Sequence, residues 1–258
     1  MKIGFLDSGL GGLTVLARAL GELPNEEFLY YADTLNAPYG SKPAAEVQRL
    51  VEAGVDLLLK EGAEAIVLAC NTATSIAAAQ LRERYDVPIL GMEPAVKPAL
   101  EISQPQKKRV LVVATPLTCQ EKKMQDLLGT VDRQGLVDLL PLPKLVQLAE
   151  AFDFSDESVL PYLESAFSGL ERSAYGSVVL GCTHFPFFAT QIQSFFPEAV
   201  LVDGAVGTVR HLSKTVPKAE KGLGRPVVSY YLSGTEVTDA ALTKKYEALM
   251  EKVAAFSE

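Results

Sequence analysis

Short apolar runs alternate with longer stretches of helical periodicity along nearly the whole chain. The runs Ile3–Leu6, Phe28–Ala32, Ala65–Ala69, Ile89–Gly91, Arg109–Ala114, Val137–Pro141, Ser177–Gly181 and Ala199–Val202 read as strands buried on both faces. Between them lie segments whose apolar residues recur at helical spacing. The clearest runs from Pro43 to Glu61, where Val47, Leu50, Val51, Val55, Leu58 and Leu59 fall on one side. Proline near its start and Gly62 just past its end are ordinary helix boundary marks. Strand–helix alternation of this kind predicts an α/β protein built from doubly wound, parallel sheets.

Pro94, Pro98 and Pro105 flank a polar stretch that suggests a crossover near residues 94–108, and Asp203–Gly207 offers a second boundary. The expected arrangement is two α/β lobes with an active-site cleft between them. One comprises residues 1–95 plus about 208–258, and the other residues 96–207. Each lobe would then carry one of two similar segments, Ala65–Ala69 followed by Cys70-Asn71-Thr72, and Ser177–Gly181 followed by Cys182-Thr183-His184. A thiol at the carboxyl end of such a strand stands where open α/β sheets place their ligands. If a helix starts there, its first amides favour negative charge on sulfur.

Composition narrows the class. The 258 residues are 48% hydrophobic and 22% charged, ordinary for a globular enzyme with a sizeable core. No apolar run approaches bilayer-spanning length, so no membrane partner is expected. The first residues turn acidic and glycine-rich too early for a signal peptide, which predicts a cytoplasmic location. A net charge of −8 opposes nucleic-acid binding. Three cysteines without Cys-x-x-Cys spacing argue against a disulfide framework and, with only His184 and His211 to join them, against a bound metal.

Other motifs carry candidate chemistry beside a plainer reading. Asp7-Ser8-Gly9-Leu10-Gly11-Gly12 follows the first strand, and glycines at a strand–helix turn let amides approach an anion. A capped tight turn would look the same. In Asp33–Gly40, the Pro38-Tyr39-Gly40 loop offers amides and a phenol to a ligand, or is loop punctuation. Cys119 reads as a small buried hydrophobe. The polar flanks Asn71, Thr72, Thr183 and His184 are costly in a core and suit a cleft. Glu93 and Glu150 are further cleft candidates, each read singly as structural or solvated. No Lys or Arg occurs in these motifs, so an anion would be held by neutral donors.

Taken together, these segments resemble glutamate racemases of the cofactor-independent Asp/Glu racemase superfamily. The matching residues are Asp7-Ser8-Gly9-x-Gly11-Gly12, Asp33-Thr34 with Pro38-Tyr39-Gly40, Ala69-Cys70-Asn71-Thr72-Ala73, Gly91-x-Glu93-Pro94-Ala95 and Leu180-Gly181-Cys182-Thr183-His184-Phe185-Pro186. The family's threonines are met by Thr115 and Thr118. Where the family often carries Arg, this chain has Leu35-Asn36-Ala37. The resemblance implies interconversion of L- and D-glutamate without pyridoxal phosphate or metal, and a supply of D-glutamate for peptidoglycan. By the same carry-over, Cys70 and Cys182 form the acid/base pair. Cys182 would act on L-glutamate and Cys70 on D-glutamate, with Asp7 and His184 assisting. Asp7, Ser8, Pro38, Tyr39, Gly40, Asn71, Thr72, Thr183 and His184 would line the substrate site. A homodimer is admitted as the assembly.

Three other readings stay open on sequence alone. An aspartate or hydantoin racemase would use the same thiol pair. A two-lobed amino-acid-binding protein has no need of paired thiols. A thiol–disulfide redox protein would normally show Cys-x-x-Cys.

Overall fold

The computed structural model describes residues 1–217 and 226–254. The chain runs β1 (Lys2–Asp7), α1 (Leu13–Glu22), β2 (Glu27–Ala32), α2 (Ala44–Lys60), β3 (Ala65–Leu68), α3 (Asn71–Arg84) and β4 (Ile89–Gly91). It continues through α4 (Val96–Ser103), β5 (Arg109–Ala114), α5 (Pro116–Gln120), α6 (Lys122–Val131), β6 (Val137–Pro141), α7 (Pro143–Glu150) and α8 (Asp156–Phe167). Then come β7 (Tyr175–Leu180), α9 (Ala189–Phe195), β8 (Val200–Asp203), α10 (Ala205–Thr215), β9 (Val227–Leu232), β10 (Thr235–Glu236) and α11 (Ala240–Ala254). Short 3-10 turns at Thr34–Asn36, Tyr39–Ser41 and Phe185–Phe188 interrupt the loops.

The chain packs as two units, Met1–Glu93 with Ala205–Glu258, and Pro94–Gly204. Of the span about 208–258 assigned from sequence to the first lobe, residues 218–225 and 255–258 lie outside the described residues. The first unit holds a sheet of order β10-β9-β2-β1-β3-β4 and the second a sheet of order β6-β5-β7-β8. Every pairing is parallel except β10 with β9. The all-parallel expectation therefore fails at one edge, where the tight turn Ser233-Gly234 folds β10 back on β9. A turn of so few residues can join only antiparallel strands.

The expected strands all occur, β4, β5 and β6 at the expected bounds and the other five with ends shifted by one or two residues. The helix most clearly predicted is α2, flanked by Pro43 and by Gly62 at φ +91°. Its Val47, Val51, Val55 and Leu58 are buried against Leu6, Leu29, Tyr31, Ile66 and Leu68 of the sheet. Each such side chain contributes about 1.5–3 kcal/mol of burial. In the second unit, Val96, Ala99 and Leu100 of α4 and Met124 of α6 pack on Val110, Val112 and Val179. No helix among the described residues is long and apolar enough to cross a membrane.

The sequence does not predict β9, because its apolar pattern is weak: only Tyr230 and Tyr231 are buried and Val227 is exposed. It nevertheless pairs with β2 over six positions, from Glu27↔Val227 to Ala32↔Leu232.

Candidate active site

Each unit has one point where the strand order reverses. The chain places β2 on one side of β1 and β3 on the other, so β1 and β3 flank a switch point. In the second unit β6 and β7 lie on either side of β5 in the same way. Strand ends diverge at such points and leave room for a ligand. The candidate segments fall there: Asp7 and Ser8 after β1 with Cys70 after β3, and Thr115 after β5 with Cys182 after β7.

In the first unit Cys70 is the N-cap of α3 in extended backbone, and its Sγ accepts a hydrogen bond from Ala73 N at 3.4 Å. The sulfur thus occupies the place an Asp or Ser oxygen takes in an ordinary cap, facing the positive end of a helix of 14 residues. Ser8 Oγ lies 3.9 Å from it. Asp7 is fully buried and its Oδ1 accepts from Gly9 N at 2.8 Å, closing the turn. Tyr30 anchors that turn by donating to Gly9 O at 2.7 Å. A Cβ at Gly12 would lie 2.6 Å from Asp7 Cβ, so only glycine lets α1 begin this close to the carboxylate.

Asn71, the first residue of α3, is 5% exposed, and neither its Oδ1 nor its Nδ2 has a hydrogen-bond partner. Buried amides without partners are rare because each orphan group costs about 1–3 kcal/mol. Beside Cys70, this one supplies a ready donor and acceptor. Thr72 is also buried.

The Pro38-Tyr39-Gly40 segment follows a cis Ala37–Pro38 peptide. The Tyr39 hydroxyl donates to Asp33 Oδ2 at 2.8 Å. Burial, then the charge and hydrogen bond of Asp33, raise the phenol well above its ordinary range, so it stays neutral. The proton of this hydroxyl is therefore committed to Asp33. The amides of Tyr39 and Gly40 open a helical turn, where no preceding carbonyl of that turn serves them.

In the second unit the surroundings of sulfur differ. No α-helix begins at Cys182. Phe185 N bonds to Cys182 O at 3.0 Å, and His184 heads a 3-10 turn four residues long. The expectation of helix amides behind both thiols is thus met at Cys70 alone. At Cys182 a hydrogen-bonded histidine–glutamate pair takes their place. Sγ lies 3.6 Å from His184 Nδ1, and His184 Nε2 lies 2.6 Å from Glu150 Oε1. Burial opposes the imidazolium, but hydrogen bonds to Cys182 and Glu150, and their charges, outweigh it. His184 is held well above its ordinary value, which favours the imidazolium form. A Cβ at Gly181 would meet Val113 O at 2.9 Å, so the bend before Cys182 requires glycine.

Thr115 and Thr118 share a buried hydroxyl–hydroxyl bond of 2.9 Å at the end of β5. Thr183 is buried beside Cys182. Cys119 stands apart: burial alone pushes its thiol up to about 11, which leaves it protonated and inert.

Glu150, a cleft candidate read singly from sequence as structural or solvated, is instead the partner of His184, a pairing the sequence does not show because nothing in the strand motifs points 34 residues back to the end of α7. The only signal was a carboxylate near the middle of the chain. The sequence places Asp33 in a motif but gives it no role of its own.

Residues 16–212 match the Asp/Glu/Hydantoin racemase family. Glutamate racemase 2 of Bacillus subtilis (strain 168) is 45% identical over 253 residues, 97% of this chain and 96% of that protein. A crystal structure of glutamate racemase from Thermus thermophilus, in complex with β-chloro-D-alanine, is 31% identical. It superposes with a TM-score of 0.75 over 98% of this chain and 92% of that one. Escherichia coli glutamate racemase, in complex with L-glutamate and the activator UDP-MurNAc-Ala, is 25% identical with a TM-score of 0.81, over 95% and 94% of the two chains. The chain belongs to the Asp/Glu/Hydantoin racemase family and is an isomerase by class.

Proposed function

We propose that this protein is a glutamate racemase that moves the Cα proton with two cysteines and calls on no cofactor. The observation that carries the reading is that each thiol stands at the switch point of its own sheet with its own means of handling charge. Cys70 has the end of α3 and Ser8; Cys182 has His184 backed by Glu150. Two thiols so equipped are what a reaction symmetric about one carbon needs, and relatives named glutamate racemase fix the substrate we assign.

In one direction the Cys182 thiolate takes the Cα proton of L-glutamate, and the electron pair passes onto Cα and its carboxylate. The Cys70 thiol then delivers its proton to the opposite face. The product is D-glutamate, with Cys182 now a thiol and Cys70 a thiolate. The reverse turnover exchanges the roles. An imidazolium Nδ1–H aimed at Cys182 Sγ stabilises the sulfur anion, and Glu150 holds that imidazolium in place. The unpartnered Asn71 amide, Thr72 and Thr183 bind the α-carboxylate, on which charge develops. Asp7 and Ser8 receive the ammonium, and the Pro38–Gly40 loop receives the side-chain carboxylate. The same reading places the enzyme in the cytoplasm, where its D-glutamate enters peptidoglycan.

The test is to incubate purified protein with L-glutamate in D₂O without added cofactor. Wild type is expected to lose optical rotation and gain deuterium at Cα. Cys70→Ala and Cys182→Ala should each fall by at least ~10³-fold, because each removes the acid or base for one face. Full turnover by either variant would overturn the two-thiol mechanism. Turnover of aspartate in place of glutamate would favour the neighbouring substrate class.

A further inference from the structure

The ladder between β2 and β9 ends at Ala32↔Leu232, so the next residues on the two strands, Asp33 and Ser233, leave the sheet side by side. Asp33 is 2% exposed, and no Lys or Arg pairs with it among the described residues. A carboxylate buried without a cation must be held by hydrogen bonds. Asn36 Nδ2 reaches Oδ1 and Oδ2 at 3.0 and 3.1 Å, Tyr39 OH reaches Oδ2 at 2.8 Å, and Ser233 Oγ reaches Oδ1 at 2.9 Å. Two of these donors belong to the loop that follows Asp33. The third comes from 200 residues further along the chain.

Ser233 is also out of place conformationally. Its φ is +44°, followed by Gly234 at +96°, a turn in which glycine or asparagine is the ordinary choice. The hydroxyl accounts for a serine here: besides donating to Asp33, it accepts from Leu35 N at 3.0 Å. Ser233 N bonds back to Ala32 O at 2.9 Å, which fixes the turn to the strand end.

We propose that Ser233 and Asp33 are positioning residues, a latch through which the turn after β9 holds the Pro38-Tyr39-Gly40 loop in its substrate-binding shape. Ser233 orients the carboxylate, the carboxylate orients the Tyr39 phenol, and the phenol sets the direction of the Tyr39 and Gly40 amides. The proposal rests on the reading of that loop as a substrate-binding element. It adds that a C-terminal segment remote in sequence tunes affinity for glutamate without touching it.

Ser233→Gly separates the latch from a merely structural role, because glycine relieves the strained φ while removing the hydroxyl. Amide hydrogen exchange over residues 34–42 of the ligand-free full chain should quicken by ~10-fold, the scale of one charge-assisted hydrogen bond. The KM for glutamate should rise by ~10-fold while kcat stays within about threefold, the signature of lost binding. The melting temperature should hold or rise. Ser233→Asn, which tolerates positive φ and keeps a donor, should recover both exchange and KM. Unchanged exchange over 34–42 in Ser233→Gly overturns the latch whatever the activity. Faster exchange with an unchanged KM overturns its role in binding. If wild type turns over no glutamate, the functional reading falls and exchange alone decides the latch.

Discussion

His184 and Asn71 show how single side chains carry the chemistry. His184 is buried, yet Cys182 on one side and Glu150 on the other each favour its proton and raise it well above its ordinary value. Its value in the unfolded chain is near 6.5. The stability this raised histidine contributes is therefore fully present below about pH 6.5 and is lost as pH rises through the folded value. Glu150→Gln removes one support and lowers the folded value, so its deficit in urea midpoint should be largest at acidic pH and shrink toward alkaline pH. The same variant should lower kcat by ~10-fold, the worth of a hydrogen bond to a charged group, with the alkaline limb of the pH–rate profile moved down. Asn71 makes the opposite trade. Its orphan amide costs stability in the free protein, so Asn71→Leu should unfold at an equal or higher temperature while kcat/KM falls by ~10²-fold. A melting curve beside a kinetic assay checks both halves.

At the scale of elements, what matters is where strands end and how tightly the next turn can follow. Cys70 leads straight into α3, whereas Cys182 passes through Thr183 and His184 into a 3-10 turn before α9 begins at Ala189. That difference places amides behind one sulfur and an imidazole behind the other. Gly181 permits the second path, since any Cβ there collides with the Val113 carbonyl at 2.9 Å. Backbone cannot yield as a flexible side chain would. Gly181→Ala should cost about 1–3 kcal/mol in urea-determined stability and displace Cys182 enough to lower kcat sharply. A variant with wild-type stability and rate would show that this bend has slack.

For the whole molecule, thermodynamics sets a condition that no arrangement of residues can escape. L- and D-glutamate are mirror images of equal free energy in water, so the ratio kcat/KM must be the same in both directions. Steady-state rates from either enantiomer should agree on that ratio even though the two thiols have such different partners. The differences between Cys70 and Cys182 can appear only in kcat and KM separately. Unequal ratios would mean that the assay is following another reaction. The C-terminal segment also belongs to this scale. β9 covers the edge of β2, and without it Glu27–Ala32 would present unpaired amides and carbonyls to solvent.

The amino-acid sequence by itself determined the α/β class, most strand positions, the extent of α2, and both cysteines with their polar flanks. These are local matters: apolar runs, helix periodicity, and a cap that spans three residues from Cys70 to Ala73. Only the tertiary structure decided that Glu150 stands behind His184, that Asn71 is left without a partner, and that Ser233 reaches Asp33. Those contacts join positions 34 and 200 residues apart, and no period or spacing in a single chain encodes which distant side chains a parallel sheet will bring to one edge. β9 shows the same limit, because an edge strand buries too little to write a strong apolar signal, and its place is set by the partner it pairs with.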